Sequence, residues 1–244
     1  MPLETHPERG NSLRVKLSNR TRFNSSMLPR CLCQVSAHRR FMQASWWQDA
    51  ISHLRNNDSI IAEFIDKYQG EILESREKLV ETLMRSIVGQ QISVLAAATI
   101  WRRLNEHLKE VNPKTVLQSS TEGLRSCGLS QRKVEYIQGI AKRSDELQKV
   151  DWQVMDDEDA IELLCTLKGV GRWTAEMVLI FTLLRPDILP LGDIGLIRGM
   201  EKLYNEGNKM SKQELLNTAE VWRPYASAAT WYIWRSMDPE PVQY

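Results

Sequence analysis

The chain lacks any apolar run long enough to cross a bilayer as a helix, so no part of it reads as a transmembrane helix and no membrane partner is expected. It has only four cysteines, Cys31, Cys33, Cys127 and Cys165, with no paired metal-ligand spacing among them. Cys31-x-Cys33 alone does not make a metal site, and the natural reading is a reduced, intracellular protein with no metal and no cofactor. A formal net charge of +1 gives no global basic excess to hold a polyanion. Nucleic acid is not thereby excluded, because main-chain amides and a helix end can grip a phosphate with few cationic side chains. Alternating β-branched runs are missing too, which points to an all-α fold.

Acidic residues are scarce in one segment. Residues 1–45 contain only Glu4 and Glu8, are rich in Arg, Ser and Asn, and show no periodic apolar face, so they are expected to be a disordered basic extension. Such a composition suits a transit peptide or a basic tail, or a segment upstream of a true start at Met42. The last is preferred, because the helical pattern begins directly after it at Ser45-Trp46-Trp47; residues 46–244 are then the folded domain.

What is present is helix after helix. Trp47, Ile51 and Leu54 form a first apolar face and Ile60, Ile61, Phe64 and Ile65 a second, joined through a cap at Asn57-Asp58-Ser59. Helices follow over 77–89 and 93–109, over 113–119 from Asn112-Pro113, and over 131–149 from Ser130. A further helix over 212–222 starts at the capping box Ser211-x-x-Glu214.

The densest chemistry lies in residues 167–199. Leu167-Lys168-Gly169-Val170-Gly171-Arg172-Trp173-Thr174-Ala175 places two glycines between amphipathic helices predicted over 157–167 and 173–184. Glycines permit a sharp turn, and the helix start behind them offers unpaired amides and a positive dipole end, which together suit an anion such as a phosphate. Twenty residues past Trp173, Asp193 stands at the predicted start of a helix over 194–205, where an N-cap role is equally natural. Lys168, Arg172, Arg198, Arg132 and Lys133 are the candidate cations around it.

The hairpin sequence resembles the helix-hairpin-helix of the HhH-GPD DNA glycosylase superfamily. Gly192-Asp193 fills the place of that superfamily's Gly/Pro-Asp, and Ser86-Ile87-Val88-Gly89-Gln90-Gln91-Ile92-Ser93-Val94-Leu95-Ala96-Ala97 is similar to the segment that probes the duplex in alkylation-repair members. Trp222-Arg223-Pro224-Tyr225-Ala226 through Trp231-Tyr232-Ile233-Trp234 is similar to their last helix, and the 3-methyladenine DNA glycosylase II family is the nearest in pattern. The resemblance spans roughly residues 46–237 and implies a two-lobed helical bundle with a cleft between the lobes.

It further implies base excision repair of damaged double-stranded DNA by a monomer located with the DNA, and a monovalent cation at the hairpin. Asp193 is the implied catalytic carboxylate, stabilising an oxocarbenium-like state or orienting water. Trp173, Trp234, Met177 and Tyr225 are the implied base pocket, with Trp231 left to the core. Gly169, Val170, Gly171, Arg172, Thr174 and Lys168 are the implied DNA contacts, and Gln91 with Gln90 the wedge that fills the gap left by a flipped base. Lyase relatives carry lysine where this chain has Trp173, which implies base removal by water alone. Met177 stands where tyrosine is frequent and Ala226 where arginine is; the four-cysteine iron–sulfur cluster of some relatives has no counterpart after Cys165. A non-catalytic DNA-binding module, or a glycosylase for oxidised, deaminated or mismatched bases, are the alternatives.

Overall fold

The structure, a computed structural model, describes residues 43–75 and 78–237; the expected N-terminal extension, apart from residues 43–45, lies outside the described residues. Among the described residues there are thirteen α-helices, a 3-10 turn at Glu220–Trp222 and no strand, only an isolated antiparallel bridge between Gln43 and Glu74. The all-α expectation holds.

The helices sort into two groups by packing. The first contains α1 (Trp47–Asn57), α2 (Ser59–Lys67), α11 (Ile194–Tyr204), α12 (Lys212–Ala219) and α13 (Ala226–Met237), so it is built from both ends of the described chain. The second contains α3 (Leu79–Gly89), α4 (Val94–Leu108), α5 (Pro113–Gln118), α6 (Thr121–Ser126), α7 (Gln131–Lys142) and α8 (Ser144–Lys149). Against its α3 packs α10 (Arg172–Phe181), which in turn carries α9 (Asp157–Cys165).

Local chemistry explains most starts. Ser93, Ser120 and Ser130 each accept the amide three residues on, and Asn112 with Thr115 and Ser211 with Glu214 form reciprocal capping boxes. The helix expected over 131–149 divides at Arg143, whose backbone leaves the helical region at φ −95°, ψ 7° while its guanidinium binds Glu146 and Thr166. This break lets Ala141 and Leu147 both face the interior. Helix α6 was not anticipated, because six residues carry too little periodicity to register.

Trp47, Leu54, Ile61, Leu83, Met84, Ile87, Trp222 and Tyr232 are fully buried, each side chain of this size stabilising the fold by roughly 1.5–3 kcal/mol. Trp231, expected in the core, is there, edge-on to Trp47 at 5.5 Å.

One buried polar node organises the first group. Asp58 caps α2 by accepting from the amides of Ile60 and Ile61, while its other oxygen accepts from Tyr204 Oη and Trp222 Nε1, both at 2.7 Å. Burial and the Asp58 carboxylate push the Tyr204 hydroxyl well above its ordinary value, so it stays a donor. Asp58→Ala strands two buried donors and uncaps a helix; at about 1–3 kcal/mol for each unsatisfied group, a loss of about 3 kcal/mol or more is expected in urea unfolding monitored by circular dichroism.

Candidate active site

Asp193 is the N-cap of α11, as its sequence context suggests, and it does more than cap. Its Oδ1 accepts from Leu196 N at 2.7 Å and Trp234 Nε1 at 2.9 Å, and its Oδ2 from Trp173 Nε1 at 2.8 Å. The residue is only 7% exposed. Both oxygens therefore face N–H donors, with the positive end of α11 behind them. Gly195 keeps one side clear, since a Cβ there would lie 3.0 Å from Asp193 Oδ1 and 3.6 Å from Trp234 Cδ1.

The two indoles arrive from different directions. Trp173 sits in the first turn of α10, half-buried, and Trp234 near the end of α13, buried and stacked on Phe181 at 5.7 Å. Trp173, Met177 and Phe181 recur every fourth residue along α10, which puts them on one stripe. Phe181 was not singled out from sequence, although that spacing was the available signal.

Trp173 stands between two hollows. One, of about 520 Å³, is lined by Trp173, Met177, Val88, Gly89, Gln90, Gln91, Ile92, Ala97, Ala98 and, at its polar side, Arg85 and Ser86. The other, of about 910 Å³, runs between the two helix groups, from Glu158, Arg172 and Glu176 to Leu191, Gly192, Lys212 and Arg223. This is the expected cleft. The smaller hollow is mainly apolar and joins the wedge segment to the tryptophan that holds Asp193, so it is the better receptacle for a flat base.

The expected pocket is partly corrected. Trp234 donates its N–H to Asp193 and stacks one face of its ring on Phe181; like Asp193 itself, it is not in the lining of either hollow. Tyr225 also lies outside both, stacked on Trp46 and edge-on to His53, because the chain turns away before α13 begins. Met177, buried, does line the smaller hollow beside Trp173.

The hairpin is corrected in detail as well. Of its two glycines only Gly169 adopts positive φ, at 89°; Gly171, at φ −101°, is the N-cap of α10 and a Cβ there would meet nothing within 4 Å. Having no side chain, Gly171 leaves the first amides of α10 without a side-chain cap. Val170 and Thr174 are buried, and the Val170 amide is already donated to Leu167 O, so neither offers a group to a ligand through its side chain. Arg172 is engaged with Glu158 and with buried Glu176, whose carboxyl burial pushes up and Arg172 pulls back. Its charge is thus neutralised internally. Lys168, Arg132 and Arg198 are exposed and have no carboxylate partner among the described residues.

The wedge segment joins α3 to α4. Gln91 is exposed with φ 58°, a left-handed conformation that costs a non-glycine residue roughly 1–2 kcal/mol. Beside it Ile92 and Leu95 are exposed apolar residues. Gln90 is turned inward, donating Nε2 to Gly169 O at 2.8 Å. Lys133, whose role was undefined from sequence, donates to Val88 O and Gln90 O, each at 2.8 Å. Burial pulls its ammonium below the usual lysine range.

Comparison with known proteins gives the family and the fold. Residues 84–224 match the model of the HhH-GPD superfamily base excision DNA repair proteins. The chain is 29% identical over 192 residues to DNA-3-methyladenine glycosylase 1 of Schizosaccharomyces pombe, covering 76% of this chain and 84% of that one. A DNA-3-methyladenine glycosidase from Bacillus halodurans superposes with a TM-score of 0.69 at 31% identity, over 82% of this chain and 93% of that one. The 3-methyladenine DNA glycosylase of Schizosaccharomyces pombe, solved in complex with abasic DNA, gives a TM-score of 0.67 at 26% identity, over 80% of this chain and 100% of that one.

The surroundings of Gly169 and Gly192 predict different responses to an added methyl group. A Cβ on Gly169 would strike the Tyr136 ring at 2.3 Å in a positive-φ turn, whereas one on Gly192 meets nothing within 4 Å. Gly169→Ala is expected to lose about 1–3 kcal/mol in urea unfolding and Gly192→Ala no more than about 0.5 kcal/mol.

Proposed function

The chain belongs to the HhH-GPD superfamily of base excision DNA repair proteins, and from that premise we propose that it is a monofunctional DNA glycosylase that hydrolyses the N-glycosidic bond of alkylated purines of the 3-methyladenine type. The observation that carries the reading is the Asp193 carboxylate, fixed by two indole N–H groups beside an apolar hollow. No membrane-crossing helix occurs among the described residues, and the substrate is damaged double-stranded DNA bound by a monomer.

The chemistry follows from the parts. A damaged purine flipped into the smaller hollow lies against Trp173 and Met177, and a cationic ring is attracted to the indole face by about 0.5–2 kcal/mol. As the C1′–N bond lengthens, the electron pair leaves with the base, whose positive charge it neutralises. Positive charge passes to the sugar, where the Asp193 carboxylate stabilises it. Water then adds to C1′, its proton leaves, and an abasic sugar remains. The position that carries an amine in lyase relatives is Trp173, whose indole donates to Asp193 and cannot form a Schiff base.

DNA is held largely by main chain. The uncapped first turn of α10 and the Gly171 cap present amides to a phosphate, Lys168 adds one cation, and Gln91 enters the duplex. A monovalent cation would rest on hairpin carbonyls; Leu167 O and Gly169 O each accept one hydrogen bond and keep a lone pair, which fits a weakly held ion.

Two measurements test the reading. Asp193→Asn keeps the size, removes the charge and turns one acceptor oxygen into a donor facing an N–H; release of 3-methyladenine from alkylated duplex should fall at least ~10²-fold with duplex affinity nearly unchanged. Retention of most activity would sink the assignment. Borohydride added during turnover should trap no protein–DNA adduct, and strand scission should appear only after alkali; a trapped adduct would mean that an amine attacks the sugar.

A further inference from the structure

We propose that Lys133, Tyr136 and Gln90 form one positioning device that fixes the wedge residue Gln91 relative to the hairpin, so that gripping the DNA backbone and opening the base pair are mechanically one event. The proposal rests on the glycosylase reading above. Lys133 and Tyr136 lie outside the smaller hollow and act as positioning residues, while Gln90 both lines it and links it to the hairpin.

The geometry is a closed triangle. Lys133 and Tyr136 stand one turn apart on α7 and so project from the same face. Lys133 reaches the end of α3 and binds Val88 O and Gln90 O, the last carbonyls before Gln91. Tyr136 lies over Gly169 so closely that only glycine fits beneath it. Gln90 closes the third side by donating to Gly169 O. One helix thus backs both the wedge and the hairpin, and the two are also bonded directly to each other.

Lys133 is out of place by local rules, which is why a tertiary duty is indicated. It occupies the first turn of α7, where the helix dipole disfavours a cation, yet its ammonium sits on the terminal carbonyls of α3, where a cation is favoured. Half-buried there, it is held against a desolvation cost that a surface lysine would avoid. The recipient of this support is the strained residue: Gln91 keeps positive φ without being glycine, and its exposed side chain has to displace a base without first being ordered. A wedge attached to a mobile α3–α4 turn would spend binding energy on its own ordering.

The test uses the full chain with Lys133→Met, which keeps the apolar stem and removes the donors, Lys133→Arg, which can still donate to two carbonyls, and Gln90→Met as an independent break of the triangle. Two substrates carry ethenoadenine, one in a fully paired duplex and one in a single-stranded or mismatched context where flipping is cheap. 2-Aminopurine beside the lesion reports unstacking on binding, without any need for turnover. Lys133→Met and Gln90→Met should each slow single-turnover release from the paired duplex at least tenfold and lose most of the fluorescence rise. On the unpaired substrate the loss in Lys133→Met should stay below threefold, and Lys133→Arg should recover most of the paired rate. Equal losses in Lys133→Met on both substrates, or an unchanged fluorescence rise in both Met variants, would overturn the proposal. If the wild-type chain unstacks the probe but releases no ethenoadenine, the positioning device stands on the fluorescence, and the chemical reading is decided by 3-methyladenine release from alkylated duplex.

Discussion

The site depends on a single carboxylate that serves three helices. Asp193 caps α11, draws in Trp173 from the start of α10 and draws in Trp234 from the end of α13. Since α10 packs with the middle of the chain and α13 with its ends, these bonds cross the boundary between the two helix groups. The Asp58 node acts at the opposite end of α11, binding Tyr204 at its last turn and Trp222 just before α13. Helix α11 is therefore held at both ends by carboxylates that each accept from an aromatic donor. Such pinning at both ends is what a reaction tolerating little misplacement requires.

The near-neutral charge of the chain is resolved by how its cations are used. Arg172, which the hairpin motif offers as a phosphate ligand, is held by Glu158 and Glu176 and serves to order the start of α10. What this leaves free is the main chain: a glycine cap with no side chain in the way, and helix amides behind it. A grip made from amides places the backbone geometrically and reads no sequence, which suits an enzyme that must find rare damage in any context. On the proposed reading, Lys168, exposed beside the hairpin, adds one cation to that grip.

Much of this was legible in the sequence, and the limits have physical causes. Helix caps are local, so Asp58, Ser130, Ser211 and Asp193 announce themselves from neighbours within four residues. The hairpin and the aspartate were legible for the same reason. Burial is not local: nothing near Thr174 or Val170 says that these residues turn inward, and nothing near Arg172 reveals Glu158, fourteen residues away. Trp234 was expected as a pocket wall; what its neighbours in sequence do not show is that its N–H reaches Asp193 and its ring stacks on Phe181, fifty-three positions earlier. Lys133 could not be assigned at all until α3 lay beside α7.

On the proposed reading, the composition of the smaller hollow bears on how damage is told from normal bases. Its apolar walls are Trp173, Met177, Val88, Ile92, Ala97 and Ala98; of the polar residues at its edge, Arg85, Ser86, Gln90 and Gln91, Gln90 is already committed to Gly169. An apolar wall distinguishes ring substituents by only about 1–3 kcal/mol, far too little to reject the excess of undamaged purines. Discrimination then has to come from steps in which damage changes chemistry rather than shape. Alkylation weakens the glycosidic bond by placing positive charge on the leaving base, and a damaged pair is cheaper to open. A fixed carboxylate amplifies the first difference and a well-held wedge the second, so a mainly apolar pocket with the flexible Met177 in its wall is sufficient.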